Sequence, residues 1–120
     1  MANAPWHIEI YKDAQGRQPV VEWLESLDVK HESRVRQTIG LLATFGLTLA
    51  EPYCRHLRGK IWELRTSVGR LEYRVLCFAA TGRTFVLLHG FTKATKKAPP
   101  GAIAIAEARA ADWEANRNAG

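Results

Sequence analysis

A mixed α/β (α+β) domain is what this sequence predicts: a four-stranded, mainly antiparallel sheet with two N-terminal helices and a C-terminal helix. Three observations carry that expectation. Segments with the two-residue period of strands occupy one end and the middle of the chain. Two apolar stripes at helical spacing follow the first of them. Pro99 and Pro100 then open an alanine-rich tail.

Trp6, Ile8 and Ile10 alternate with His7, Glu9 and Tyr11, which predicts a strand. Asp13 to Gly16 reads as a turn, and Pro19 stands where the first position of a helix tolerates it. Val20, Trp23, Leu24 and Leu27 form that helix's stripe. Asp28 is placed to cap a second helix with stripe Val35, Ile39, Leu42 and Phe45, stopped by Gly46. Residues 47 to 59, with Pro52 and Gly59, read as a connector. Three strands are expected over Lys60–Thr66, Leu71–Ala79 and Arg83–Phe91, and a last helix carries Ile103, Ala106, Ala110 and Trp113 on one face. No repeat or linker interrupts the pattern, so residues 1–120 are read as one domain.

Hairpin registers place the charged residues. With Ser67 opposite Arg70, Leu64 faces Tyr73, Arg65 faces Glu72 and Glu63 faces Arg74. With a two-residue turn at Thr81-Gly82, Phe78 faces Phe85, Leu76 faces Leu87 and Arg74 faces His89. Glu63, Arg65, Glu72, Arg74 and His89 then share one face of the sheet. Trp62, Leu64, Leu71, Tyr73, Val75, Cys77, Val86 and Leu88 occupy the other, which the helices are expected to cover.

Composition bounds the function. The chain carries a net charge of +5, with ten Lys/Arg and only two acids, Glu63 and Glu72, between Arg55 and Lys97. A concentrated basic surface suits a polyanion such as nucleic acid, because phosphate contacts release counterions. Cys54 and Cys77 lack the spacing of a zinc site or disulfide framework and read as free thiols. No Asp/Glu cluster points to a metal, and no cofactor is expected. The start lacks a signal-like segment, no stretch is long enough to span a bilayer, and a cytoplasmic location with no membrane partner is expected.

Cross-strand pairing accounts for Arg65 with Glu72 and Arg74 with Glu63. It leaves an excess: His89, Lys93, Lys96 and Lys97 have no local acid to pair with. Arginine forks match phosphate oxygens and lysines supply mobile point charges, so this set suits a scissile phosphate. Where the nucleic acid is RNA, cleavage without a metal requires the 2′-hydroxyl to attack phosphorus, a base, an acid, and cations for the developing charge. Arg65 and Arg74 remain protonated and serve only as cations. Lys93 or His89 is the candidate for proton transfer. Lys60, Arg70, Lys96 and Lys97 are candidates for holding the RNA backbone. Arg74 is expected to be braced by Glu63 while presenting donors to phosphate, and its alanine variant to stay folded.

The order KIWELR, GRLEYRVL, FVLLHGFTKATKKAPP and an alanine-rich helix resembles the RelE/ParE toxin superfamily, in particular its phage-derived HigB-like branch. The resemblance implies a RelE-like fold and a toxin of a type II toxin-antitoxin system, a ribosome-dependent mRNA endonuclease that inhibits translation. It also implies a helix-turn-helix antitoxin encoded nearby, with the ribosome and mRNA as the other partners. Arg65 matches the arginine of ELR, Arg74 that of YR and Lys93 the lysine of HGFxK. A ParE-like inhibitor of DNA gyrase, or a non-catalytic nucleic-acid-binding module of phage origin, is the alternative.

Overall fold

The computed structural model describes residues 5–93 and 99–119, with side chains through Arg117. Strand β1 (His7–Ile10) leads into helices α1 (Pro19–Glu25) and α2 (Val29–Phe45). Strands β2 (Cys54–Arg58), β3 (Ile61–Val68), β4 (Leu71–Ala80) and β5 (Thr84–Lys93) follow, and then helix α3 (Ala102–Ala119). The sheet order is β1-β5-β4-β3-β2, with β1 parallel to β5 and the other pairs antiparallel.

Among the described residues five strands therefore replace the expected four, with three α-helices. The added strand is β2, which lies within the segment read as a connector. Its sequence, CRHLR, buries only Cys54, so it has no apolar alternation to betray it. It is an edge strand held by backbone pairing with β3, and its exposed arginines are the usual guard of such an edge.

Local chemistry explains the helices. Pro19 opens α1, whose Val20 and Leu24 are buried. Asp28 caps α2 by accepting from the Lys30 N–H at 2.9 Å. Gly46 ends α2 at φ 58°, and a Cβ there would strike the Trp6 indole, so only glycine serves. Val35, Thr38 and Leu42 are the buried residues of α2 and Ile39 packs partly buried beside them, as the stripe predicts except at Phe45, which is 51% exposed in the last turn.

The sheet is covered on both sides. Helices α1 and α2 pack on Leu64, Tyr73, Val75, Cys77, Phe85 and Leu87. Helix α3 packs Ala102, Ala106 and Ala110 on Ile61, Leu76, Phe78, Val86 and Leu88. Val86 and Leu88 thus lie on the face opposite to the one expected. The β4–β5 loop has three residues, Thr81 to Arg83, closing on Ala80 opposite Thr84, with Gly82 and Arg83 both at positive φ. One extra loop residue inverts the side-chain parity of the first half of β5. A bulge at Leu88 inverts it again, because Cys77 pairs with Leu87 whereas Leu76 pairs with His89. His89 thereby returns to the α3 side.

The β3–β4 register also departs from expectation, by two residues. Val68 pairs with Leu71 around a Gly69-Arg70 turn, Gly69 has φ 60°, and Arg65 stands opposite Arg74 instead of Glu72. An even shift preserves faces, so the grouping of charges survives while the pairing changes.

Candidate functional site

Three rows cross β3, β4 and β5 on the α3 side of the sheet: Glu63–Leu76–His89, then Arg65–Arg74–Phe91, then Ser67–Glu72–Lys93. The register brings Arg65, Arg74, His89 and Lys93 onto one face. Helix α3 covers the apolar end, and the charged rows lie at the other.

Arg74 has no exposed surface. Its Nε lies 3.4 Å from Glu63 Oε1, and its Nη2 donates to Glu72 Oε1 at 2.5 Å. Glu63, itself 7% exposed, is shared: Arg65 Nε is 3.5 Å from the same oxygen. The hydrogen bond from Arg74 and its charge hold the Glu72 carboxyl below the usual carboxylate range. Burial of Arg74 corrects the expectation that it presents donors outward, and removal of this charge from between two carboxylates is not neutral to folding. The cause is its place on the central strand, with a neighbour on each side and Phe91 beside it.

Arg65, on the outer of the two strands, keeps about a quarter of its side chain accessible. The Nε atoms of Arg65 and Arg74 are both buried and make no hydrogen bond, an arrangement uncommon enough to ask for an explanation. Lys93 is half-buried across from Glu72. Three cations face two carboxylates, leaving the cluster positive.

His89 is half-buried beside a residue the sequence reading passed over, Arg109 of α3. Arg109 Nη1 donates to the Leu88 carbonyl at 2.8 Å and stands 3.4 Å from His89 Nδ1. Burial first, and the Arg109 charge second, push the His89 pKa down. With a donor at Nδ1 the neutral ring carries its proton on Nε2, a tautomer assigned from the contact. Arg109 was detectable in principle, since it flanks the buried stripe Ala102, Ala106 and Ala110.

The remaining candidates fall elsewhere. Lys60 lies beyond the far end of β3 and pairs with Glu114 at 2.8 Å. Arg70 is exposed in the β3–β4 turn, next to the Ser67–Glu72 row. Lys96 and Lys97 lie outside the described residues. Tyr73 points to the other face, where its hydroxyl meets His31 Nδ1 at 2.5 Å. Among the described residues no three His, Cys, Asp or Glu side chains form a metal-holding group, and no helix is long and apolar enough to cross a membrane.

A search of curated proteins finds no match to the chain. The family model described as Phage derived protein Gp49-like (DUF891) matches residues 22–111, a span that contains both arginines, Glu63, Glu72, His89, Lys93 and Arg109. The chain therefore belongs to the phage-derived Gp49-like family, a family of RelE/toxin-like proteins.

Proposed function

We propose that this protein is the toxin of a type II toxin-antitoxin system, a HigB-like, ribosome-dependent endoribonuclease that cuts mRNA and stops translation. The observation that carries the reading is the Arg65–Arg74 pair. Two guanidiniums share one carboxylate, on a face that also holds Lys93 and a neutral histidine. Three cations against two carboxylates leave a net positive charge there, and an incoming phosphate supplies the missing anion through the accessible Arg65 and Lys93.

Roles follow from exposure. Arg65 and Lys93 contact the phosphate, since both reach solvent. Arg74 adds positive potential from beneath and holds Glu63 and Glu72 in place, so it is a positioning residue. His89, neutral with its proton on Nε2, donates to an oxygen that gains charge as the 2′-hydroxyl attacks phosphorus. Cations arranged before the reaction lower the barrier because the extra phosphorane charge meets them without reorganisation. A helix-turn-helix antitoxin encoded nearby neutralises the protein, which works in the cytoplasm on ribosome-bound mRNA.

The complete burial of Arg74 favours a second reading, a non-catalytic RNA-binding module in which the arginine is only a core ion pair. Induced expression separates the two, with translation and DNA supercoiling followed in parallel and mRNA ends mapped. Arrest of translation with new mRNA ends inside codons supports the nuclease. Arrest without cleavage supports the binding module, and loss of supercoiling control points instead to gyrase.

A further inference from the structure

We propose that the cleft between α2 and the free end of β3 is a nucleotide-binding pocket, taking one unstacked base of single-stranded RNA next to the phosphate held by Arg65. The proposal deepens the RNA-cleavage reading and rests on it for the identity of the polymer.

The cleft has a structural origin. β2 stops pairing at Cys54 opposite Leu64, and the last contact is the Arg65 N–H donating to the Tyr53 carbonyl at 2.8 Å. Among the described residues Thr66 and Ser67 then have no strand on that side, and α2 stands above them. The space enclosed is about 370 Å³, lined by Arg34, Gln37, Tyr53, Arg65, Thr66 and Ser67 among others. That volume lies near the lower end of the roughly 300–1,000 Å³ typical of small-ligand sites, the size of one nucleotide and too small for a duplex.

The floor is rigid. Thr66 Oγ1 donates to Thr38 Oγ1 at 2.8 Å, and Thr38 in turn donates to the Arg34 carbonyl at 3.3 Å, so the hydroxyls that tie α2 to β3 are already satisfied. The rim is adaptable: Arg34 and Gln37, one turn apart on α2, are exposed and make no side-chain hydrogen bond or ion pair among the described residues.

The chemistry of the lining selects the ligand. Two arginines and no carboxylate line the cleft, which favours an anion. Phosphate alone does not explain the rest of it. Leu41 and Pro52 add apolar wall, and Tyr53 leaves 44% of its surface exposed at the mouth, where an aromatic ring serves as a stacking platform for a base. The Gln37 amide offers a donor and an acceptor side by side, the pattern that reads a base edge. Arg65 lies in both the cleft and the phosphate row, so a base held here leaves its phosphate at that row.

The test is an amide-shift titration of the full-length, ¹⁵N-labelled protein with each of the four nucleoside 5′-monophosphates, and with inorganic phosphate as a separate arm. Shifts at residues 37, 38, 53 and 65–67 that differ among the bases are expected. Tyr53→Ala should weaken nucleotide binding by about fivefold or more. Gln37→Ala should flatten the differences among bases. Both positions are exposed, and unchanged melting temperatures will show that the variants are folded. Nucleotides that leave these amides unmoved overturn the pocket, as does phosphate alone reproducing the whole response. Binding here by a protein that cuts no ribosome-bound mRNA upholds the pocket and removes the nuclease. Cleavage by a protein whose cleft stays silent does the reverse.

Discussion

Arg65 and Arg74 face one another directly across β3 and β4, both reach for the same oxygen of Glu63, and only Arg65 touches solvent. Like charges at this spacing repel, so the pair persists because Glu63 and Glu72 lie against it and because β4 is pinned on both edges. The two arginines thus divide their work, one facing outward and one inward.

Arg74→Ala leaves the buried Glu63 with Arg65 as its remaining cation and should cost about 3 kcal/mol of stability. Replacing Arg74 by Met together with Glu63 by Gln should recover much of that loss, since the two most deeply buried charges are then removed together. Chemical denaturation of the single and double variants checks both statements. A single variant as stable as the parent would show that Arg74 does not anchor the sheet.

Arg65→Ala and Lys93→Ala remove partly accessible cations and should leave melting close to the parent, while ribosome-dependent cleavage falls by about 100-fold or more. Lys60→Ala breaks an exposed pair with Glu114, worth about 0–1 kcal/mol, and should leave cleavage near the parent value. Equal loss in all three would mean that general basicity, not position, governs activity.

The depressed His89 pKa sets a direction for pH dependence. The unfolded chain takes up a proton near the ordinary value of about 6.5, whereas the folded protein resists it until lower pH, so acidification below that value destabilises the fold and a rise above it adds nothing. His89→Gln should flatten the fall in melting temperature between neutral and mildly acid pH. Arg109→Ala should move the His89 titration upward in an NMR experiment. An unmoved titration would show that Arg109 does not set the imidazole's charge.

Gly90→Ala probes the neighbouring position from the other side. A Cβ at Gly90 would enter the Trp23 ring, which packs between α1 and β5. Overpacking of this kind costs about 1–3 kcal/mol, and thermal unfolding should register it. Trp23→Leu in the same chain should restore part of the loss by making room for the methyl.

Much of this molecule is decided by patterns a few residues long. The alternation in β3 to β5, the Asp28 cap, the Gly46 stop and the alanine stripe of α3 are local, because a strand repeats every second residue and a helix every 3.6, whatever lies elsewhere in the chain. The grouping of Arg65, Arg74 and His89 on one face was also legible, although by errors that cancelled: a two-residue shift keeps parity, and the three-residue loop at Thr81 to Arg83 is undone by the bulge at Leu88. Tertiary structure alone decided the rest. Strand β2 exists because β3 needs a neighbour, not because CRHLR prefers a strand. Arg74 is buried because β3 and β5 flank it on the central strand, with Phe91 beside it, and Arg109 meets His89 across 20 residues of chain. The cleft joins Arg34 and Gln37 of α2 to Tyr53 and Ser67, residues whose separation in sequence carries no period. Periodicity reports which side of an element is apolar; which element arrives to cover it, and which charges it meets there, depend on packing between distant segments.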